Sequence, residues 1–288
     1  MKSKVICLLL GAVMAAGVLA GCGNKAASTE NTSNTSSDKT EDAQVSDNAA
    51  ASGDDGKFIV GFDAEYPPYG YMDENGEYTG FDLELAQAVC DMEGWEFVAQ
   101  PIAWEAKDQE LDSGAIDCIW NGFTINGRED EYEFSDAYVN NEQVIVVSST
   151  SGIKALTDLA GKTVGVQQAS AALDVLTDEE QQKSLGDTFG TMQQFTDYNV
   201  AFTELQSGSL DALAIDVGVA EYQISSRGAD DFIILSEPLN SEQYGVGFKL
   251  GNTALRDTVN ADLHKLAADG TIKTLAEKYE IADMICIE

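Results

Sequence analysis

Short apolar runs alternate with helical patterns along the chain, and a polar residue or glycine ends most of them. Residues 58–62 (FIVGF) predict a buried strand, and residues 81–93 place Phe, Leu, Val and Met at helical spacing. A second strand pattern at 95–99 and a second helix that ends near Ser113 follow. Strand, helix, strand, helix, strand is the order of a parallel α/β sheet.

The same alternation continues through the second half of the chain. Residues 142–148 (EQVIVVS) form a strong strand pattern, and residues 159–166 predict a turn followed by a strand. Ser170 is a good N-cap and predicts that a helix begins there. Residues 243–249 (QYGVGFK) predict a later strand, and residues 252–279 predict the last helical region. The expected fold class is therefore α/β.

One stretch of the chain occurs twice. Residues 111–122 read LDSGAIDCIWNG, and residues 205–216 read LQSGSLDALAID. Each copy predicts the end of a helix, a Ser-Gly turn and an apolar strand, and Gly122 and Asp216 take equivalent places just after the strands. Two copies of one helix-turn-strand unit predict two similar lobes that face each other. The alternative is a chance similarity, since the SGxxD pattern is common turn chemistry.

Polar side chains follow four of the predicted strands, and ligands of open α/β sheets bind outside the carboxyl ends of strands. The candidates at these ends are Asp63, Gly122 with Thr124, Ser170, and Asp216. Arg128 follows the first repeat and could hold a carboxylate, while Asp216 ends the second repeat and could hold an ammonium group. Free amides at the helix start near Ser170 also favour an anion. This pairing of charges is what an α-amino acid zwitterion requires.

Charge and composition limit the classes of partner that the chain could bind. The chain has 288 residues, enough for one or two domains, with 50 acidic and 16 basic residues and a net charge of −34. Such acidity opposes binding to nucleic acids and to anionic lipids, because phosphate groups require Lys and Arg. It suits a solvated extracellular surface.

The cysteines and the single histidine do not suggest a metal or a catalytic centre. Outside the first 22 residues only Cys90, Cys118 and Cys286 remain, without a CxxC spacing, so we expect no metal and no cofactor. Cys118 lies in an apolar run and is expected in the core, and a disulfide between Cys90 and Cys286 stays open. With His264 alone and no nucleophile motif, no catalytic triad is expected.

The N-terminus predicts export. Residues 1–22 have Lys2 and Lys4, an apolar segment and the ending Leu-Ala-Gly-Cys22, which resembles the signal of bacterial lipoproteins. This resemblance implies lipidation of Cys22 and an anchored protein that does not span the membrane. The alternative is a plain secretory signal with an incidental cysteine. Residues 23–56 are rich in Ser, Thr, Asn, Ala and Asp and predict a disordered tether.

Seven motifs over residues 57–280 are similar to those of the bacterial extracellular solute-binding proteins, family 3, which serve polar amino-acid ABC transporters. The motifs are 61–69 (GFDAEYPPY), 80–86 (GFDLELA), 111–128, 134–138 (FSDAY), 159–166 (LAGKTVGV), 211–216 (DALAID) and 269–271 (DGT). The resemblance implies a two-lobe periplasmic-binding-protein fold of type II, with two hinge strands and the ligand in the interlobe cleft. Lobe 1 is then 57–147 with the return 244–288, and lobe 2 is 148–243.

The resemblance also implies the function and the role of each site residue. The chain would be a monomeric, lipid-anchored receptor on the extracytoplasmic face of the cell membrane that delivers a polar amino acid to an ABC permease, and not an enzyme. The implied ligand contacts are Arg128 with Thr124 and the Ser170 amide for the carboxylate, Asp216 and the Gly122 carbonyl for the ammonium, Tyr66 and Trp104 around the side chain, and Asp63 with Asn121 at its tip. From the residues alone, packing is an equal alternative for Tyr66 and Trp104.

The sequence departs from the family pattern at three places. The segment from Thr124 to Arg128 is one residue shorter than usual, which puts the reach of Arg128 in question. Ala169 replaces a common Gly, and Ala171 stands where a second hydroxyl is frequent, so a narrower carboxylate site is expected.

Three alternatives stay open. The same fold hosts a cyclohexadienyl dehydratase, for which Glu65 is the one evident acid, and a sensor subunit would use the same lobe closure. The ligand itself is open among glutamine, a basic amino acid, cystine and other polar amino acids.

Overall fold

A computed structural model describes residues 56–288. The predicted signal peptide with Cys22, and the predicted tether up to residue 55, lie outside the described residues. The strands are β1 (Lys57–Phe62), β2 (Glu65–Tyr66), β3 (Gly70–Met72), β4 (Tyr78–Thr79), β5 (Glu96–Pro101), β6 (Cys118–Ile119), β7 (Tyr132–Phe134), β8 (Val139–Ser148), β9 (Thr163–Gln167), β10 (Thr191–Phe195), β11 (Ala212–Asp216), β12 (Phe232–Ile234), β13 (Asn240–Tyr244) and β14 (Gly247–Lys249). The α-helices are α1 (Phe81–Glu93), α2 (Lys107–Ser113), α3 (Ala171–Thr177), α4 (Lys183–Gly186), α5 (Tyr198–Ser207), α6 (Val217–Arg227), α7 (Thr253–Ala268) and α8 (Thr271–Lys278).

Helix α1 shows how the sequence pattern becomes structure. Phe81, Leu85 and Val89 recur at helical spacing and are fully buried, so one face of the helix packs on the first sheet. Gly94 ends the helix in the left-handed conformation, with φ 73°. Met92 was expected on the buried face but is 42% exposed, because it lies at the last turn, beyond the edge of the core.

The strands form two main sheets. The first sheet has the order β5-β1-β6-β14-β7, with β1 parallel to β5 and β6, and with β14 antiparallel to β6 and β7. The second has the order β10-β9-β11-β8-β12, in which β9 is parallel to β10 and β11, and β8 is antiparallel to β11 and β12. We refer to the two sheets with their helices as the first and second lobes.

Two neighbouring strands carry the chain between the lobes. Strand β8 follows β7 of the first sheet and then joins the second sheet, and β13 pairs antiparallel with the first half of β8 before the chain returns to β14. In this ladder Val139 is opposite Tyr244 and Gln143 is opposite Asn240. The expected two-lobe fold of type II with two hinge strands is therefore confirmed.

The internal repeat is a structural repeat. Helices α2 and α5 both end at a left-handed glycine, Gly114 with φ 76° and Gly208 with φ 79°. After each turn an aspartate accepts a hydrogen bond from the backbone of the neighbouring parallel strand, β1 in the first sheet and β9 in the second. Asp117 Oδ2 accepts from Ile59 N at 2.7 Å, and Asp211 Oδ2 accepts from Thr163 N at 2.8 Å. The SGxxD pattern thus marks one strand entry in each lobe.

Some predicted elements were wrong in extent. The predicted strand 243–249 is two strands, because the chain leaves the hinge ladder at Tyr244 and enters the first sheet at Gly247. At Gly245, which lies between them, a Cβ would come within 2.9 Å of the Ile125 side chain. The apolar run around Cys118 gives only a two-residue strand.

Cys118 is buried, as expected, and Cys90 and Cys286 do not form the disulfide that the sequence left open. Cys90, Cys118 and Cys286 are free thiols, and Cys90 and Cys118 have no exposed surface. Within residues 56–288, none of the helices combines the length and the apolar composition that crossing a bilayer requires.

We predict that Asp117→Ala and Asp211→Ala each destabilise the protein by about 1–3 kcal/mol, because each leaves a partly buried backbone N–H without its acceptor. The sites lie in different sheets, so the double variant should show the sum of the two losses. Urea unfolding monitored by circular dichroism measures the free energies.

The exposed Asp230→Ala is the control, and its free energy of unfolding should stay within about 0.5 kcal/mol of the wild type. A loss of stability in only one of the two variants would show that the two copies of the repeat do not contribute equally to stability.

Candidate functional site

A small cavity lies between the lobes, where β1, β6, β9 and β11 end. Its wall contains eight of the nine predicted ligand-binding residues and two others, Gln167 and Ala171. The predicted residues in the wall are Tyr66, Trp104, Asn121, Gly122, Thr124, Arg128, Ser170 and Asp216. The structure therefore brings eight of the predicted residues together around one cavity, and their contact with a ligand stays a prediction.

Arg128 is the residue of the wall that is expected to bind a ligand carboxylate. It follows a turn in which its N–H donates to Ile125 O, and only 9% of the residue is exposed. Its guanidinium lies 5.2 Å above the centre of the Phe123 ring, and its Nη2 donates to Asp174 Oδ2 at 2.7 Å. Despite the shorter segment after Thr124, Arg128 reaches the cavity, where it is paired with a carboxylate of the other lobe.

Ser170 caps helix α3 as expected. Its Oγ accepts from Leu173 N at 3.2 Å and donates to Gln167 O at 2.9 Å. The preceding Ala169 has φ 52°, in the left-handed region where a β-carbon is unfavourable. The Ala169 carbonyl accepts from Trp104 Nε1 at 3.1 Å and from Lys107 Nζ at 3.4 Å, which fixes this backbone against the first lobe.

Asp216, at the end of β11, is the residue of the wall whose carboxylate is expected to bind a ligand ammonium group. Its Oδ1 accepts from Asn141 Nδ2 at 2.8 Å, from Gln143 Nε2 at 2.6 Å and from the Tyr244 hydroxyl at 2.6 Å. The Tyr66 hydroxyl is a further partner. Burial raises the pKa of Asp216, although these hydrogen bonds act in the opposite direction.

A second carboxylate lies beside Asp216 and was not predicted from the sequence. Glu242 Oε1 accepts from Thr124 Oγ1 at 2.9 Å, and from Asn141 Nδ2 and Gln143 Nε2 at 2.8 Å each. Burial, and then the charge of Asp216, raise the pKa of Glu242 to about 7. The signal that could have revealed this cluster is the alternation of Asn141 and Gln143 at the start of the apolar run in β8, which places two amides on one buried face.

The two aromatic residues of the wall, Tyr66 and Trp104, pack against other aromatic rings and also face the cavity. Tyr66 lies with its ring centre 6.0 Å from those of Tyr69 and Tyr198, and Trp104 packs edge-on against Phe123 at 5.7 Å. Both Tyr66 and Trp104 also line the cavity. Packing and ligand contact are therefore compatible for these two residues.

Asp63 is the one predicted residue outside the cavity wall. Its Oδ2 accepts from Gln167 Nε2 at 2.6 Å, and Gln167 lines the cavity in its place. The Asp63 N–H donates to Asn121 Oδ1 at 3.0 Å. Burial raises the pKa of Asp63 to about 6, although the Glu65 N–H and Gln167 lower it. A role at the tip of a ligand side chain stays a prediction for Asp63.

Gly122 is required by the close packing around it. Its φ is 58°, and a Cβ at this position would come within 3.1 Å of the Tyr66 and Tyr244 rings. Its N–H donates to Asp82 Oδ2 at 2.6 Å, which orients the peptide at the cavity wall. A side chain at position 122 would therefore push the two tyrosines away from Asp216.

The lobes are closed on each other in this structure. Asp63–Gln167, Trp104–Ala169 and Arg128–Asp174 all bridge the cleft. The cavity volume that remains is about 10 Å³, which is at the lower limit for a single water molecule. An amino acid can enter only if the lobes separate and Arg128 exchanges its partner.

A larger cavity of about 650 Å³ lies beside the hinge strands. Its wall is made of amide, hydroxyl, acidic and apolar side chains. It contains no Lys or Arg, so none of its side chains could form an ion pair with a ligand carboxylate. Its residues are Asn126, Asn140, Asn141, Glu142, Val217, Ser241, Glu242, Gln243, Asp283 and Met284. The smaller, closed cavity, where charges of both signs meet, is therefore the candidate site. Within the part of the chain that the structure describes, no three His, Cys, Asp or Glu side chains are grouped as metal ligands.

Comparisons with known proteins agree with this geometry. The family model of the bacterial extracellular solute-binding proteins, family 3, matches residues 58–282. The chain is 29% identical over 232 residues to the L-cystine-binding protein TcyJ of Escherichia coli strain K12, covering 80% of this chain and 84% of that protein.

Two solved structures have the same fold. One is an ABC uptake transporter substrate-binding protein from Streptococcus pneumoniae with bound histidine, with a TM-score of 0.74, 32% identity and coverage of 78% of this chain and 92% of that chain. The other is the ancestral amino acid-binding protein AncCDT-1, a precursor of cyclohexadienyl dehydratase, with a TM-score of 0.71, 30% identity and coverage of 78% and 96%.

We predict that Ala169→Gly stabilises the protein by about 1 kcal/mol, because glycine adopts the left-handed conformation without the cost of a β-carbon. The carbonyl that receives Trp104 and Lys107 is kept. Thermal or urea unfolding of the two proteins measures the difference. Ala171→Gly, in the first turn of α3, is the control and should destabilise, since the glycine there has only an entropic cost. A loss of stability in both variants would contradict the prediction.

Proposed function

Because the chain belongs to the bacterial extracellular solute-binding proteins, family 3, we propose that it is the substrate-binding protein of an ABC transporter and captures a polar amino acid by lobe closure. The observation that carries this proposal is the buried pair of opposite charges on one cavity wall: Arg128 from the first lobe and Asp216 from the second. A zwitterion matches both groups at once. Its carboxylate takes the place of Asp174 on Arg128, and its ammonium group takes a position beside Asp216.

The proposed division of the chain follows the two crossings at the hinge. Lobe 1 consists of 57–147 and the return 244–288, and lobe 2 consists of 148–243. Strands β8 and β13 pair with each other between the sheets, which supports a hinge at both crossings. Closure brings the two repeats face to face over the ligand.

The proposed location is the extracytoplasmic face of the cell membrane, with a lipid on Cys22, 23–56 as the tether, and an ABC permease as the partner of the monomeric receptor. Support comes from the family, whose description is extracellular, and from the Leu-Ala-Gly-Cys22 ending of the predicted signal. Mass spectrometry of the protein extracted from membranes tests the anchor. An N-terminal residue other than a lipid-modified Cys22 would contradict it.

The proposed ligand has a polar or cationic side chain. Asp63, Asn121 and Gln167 bring carboxylate and amide groups to one end of the site, while Trp104 and Tyr66 supply flat surfaces. One relative binds L-cystine by its name, and one structural neighbour holds histidine. A thermal-shift screen of the twenty amino acids and cystine identifies the ligand, and no shift with any of them would contradict the proposal.

An enzyme is the second candidate, favoured by the likeness to a precursor of cyclohexadienyl dehydratase. Glu65, the acid named for this role, is exposed, bonds to Asn199 and does not line the cavity, so we propose binding without catalysis. Incubation with arogenate or prephenate tests this choice, and an aromatic product would overturn it. Lobe closure would serve a sensor partner as well as a permease. Deletion of the gene for this chain, followed by amino-acid uptake measurements, separates the two, since loss of uptake supports transport.

We predict that Arg128→Ala and Asp216→Ala each weaken amino-acid binding by about 30-fold to several thousand-fold. Removing one member of a desolvated charge pair typically costs about 2–5 kcal/mol, and each 1.4 kcal/mol is about tenfold in affinity. Isothermal titration calorimetry measures the dissociation constants. Arg256→Ala, at an arginine paired with Glu133 away from the cavity, is the control and should bind as the wild type does. Unchanged affinity in both site variants would reject the site.

Asp174→Asn should have the opposite effect and tighten binding by about two- to fivefold. It removes the carboxylate that competes with the ligand for Arg128, and partly exposed ion pairs are worth up to about 1 kcal/mol. The same calorimetric titration measures the change. Asp178→Asn, just after α3 and exposed, is the control. Weaker binding in Asp174→Asn would show that Asp174 helps to hold the ligand and does not compete with it.

A further inference from the structure

Two buried carboxyl groups share the same two amide donors at the hinge. Asn141 Nδ2 and Gln143 Nε2 each donate to Asp216 Oδ1 and to Glu242 Oε1, over distances of 2.6–2.8 Å. The two carboxyl oxygens therefore lie within two hydrogen-bond lengths of each other. Asp216 is 3% exposed and Glu242 is 4% exposed, so water hardly screens one from the other.

Within the described part of the chain, no cationic side chain forms an ion pair with either carboxyl group. Within residues 56–288, no Lys, Arg or His nitrogen lies within the 4.0 Å ion-pair distance of Asp216 or Glu242. Glu242 Oε2 is buried and has no hydrogen-bond partner at all. An ionised Glu242 carboxylate loses the hydration of Oε2, which no hydrogen bond within residues 56–288 replaces, whereas a protonated one carries no charge there. Two carboxylates in one buried site ionise together only at a high cost in free energy.

We propose that Asp216 and Glu242 share one proton in the unliganded protein, and that the ammonium group of the bound amino acid displaces this proton into the solvent. The proposal rests on the proposed function, since it concerns the same cleft. The O–H bond of the carboxyl pair breaks, the proton passes to water or buffer, and the ligand's positive charge replaces it. Glu242 acts through Asp216 and Thr124, which line the cavity, and is therefore a positioning residue.

Proton release makes ligand affinity depend on pH. Burial raises the pKa of Glu242 to about 7, and Asp216 is shifted in the same direction. Below this pKa the ligand must displace a proton, so affinity falls by up to about tenfold for each pH unit. Above it the pair is already ionised and affinity is constant. The other titratable groups that face the pair or share its cavities are Tyr66, Tyr69, Tyr198, Tyr244, Arg128, Asp174, Glu142 and Asp283.

The decisive variant is Glu242→Gln, which keeps an oxygen for Thr124, Asn141 and Gln143 but cannot ionise. Its matched control is Glu142→Gln, one step from Asn141 on the same strand but exposed. The probes are L-glutamine and L-arginine, which do not titrate between about pH 5.5 and 8. Calorimetric titrations at pH 6.5 in phosphate and in Bis-Tris give the number of protons released, because the two buffers differ in ionisation enthalpy.

We expect the wild type and Glu142→Gln to release most of one proton for each amino acid bound, and Glu242→Gln to bind with little release. We also expect the affinity of Glu242→Gln to change much less between pH 5.5 and 8. Equal proton release by Glu242→Gln and the wild type, or no release by the wild type, would overturn the proposal.

A measurement without ligand separates this proposal from the proposed function. A carboxyl group whose pKa is higher in the folded state keeps a proton that the unfolded chain has lost, so stability falls as pH rises from about 4.5 through 7. The urea midpoint of the ligand-free wild type should therefore fall more between pH 5 and 8 than that of Glu242→Gln. Parallel curves would overturn the shared proton. If none of the twenty amino acids or cystine binds, the proposed function fails, and the shared proton is judged on these curves alone.

Discussion

The arrangement of the cleft depends on the hydrogen bonds that stabilise the buried Asp216 carboxylate. A buried charge without partners is costly, and Asn141, Gln143, Tyr244 and Tyr66 supply the hydrogen bonds that make its burial tolerable. Three of these donors lie on the two hinge strands. The hinge is therefore polar where it passes the site, although the rest of β8 is an apolar core strand.

In the closed cleft, the candidate carboxylate-binding side chains are occupied by the protein's own acidic residues. Arg128 is paired with Asp174, and the Thr124 hydroxyl donates to Glu242, so two groups that the resemblance assigns to the ligand carboxylate already have anionic partners. Ligand binding is thus an exchange of partners, and its free energy is a difference between two well-paired states. The narrow carboxylate site expected from Ala169 and Ala171 stays a prediction.

The sequence was informative where local chemistry decides the structure. The Ser-Gly turns and the aspartates after them are set by a few neighbouring residues, so the repeat and the two-lobe fold could be predicted, as could most of the cavity wall. Glu242 escaped prediction because its partner Thr124 is 118 positions away, and nothing local distinguishes it from a solvated glutamate. Asp174 on Arg128, 46 positions apart, was missed for the same reason. The ligand roles of these residues stay predictions.

The register of the hinge has a mechanical consequence. Asp216, Gln143 and Asn240 lie in one row across three neighbouring strands, and Ile125 N donates to Gln243 O, so this corner of the cleft is built into the pivot itself. Helix α3, which carries Asp174, packs on β9 and β11, and Asp174 meets Arg128 of the first lobe through their side chains. We therefore expect a rotation about the hinge to separate Asp174 from Arg128 while Asp216 keeps its hydrogen bonds to Asn141 and Gln143 of β8. The negative corner of the cleft is set by the strands of the pivot, and the positive corner depends on how far the lobes have turned.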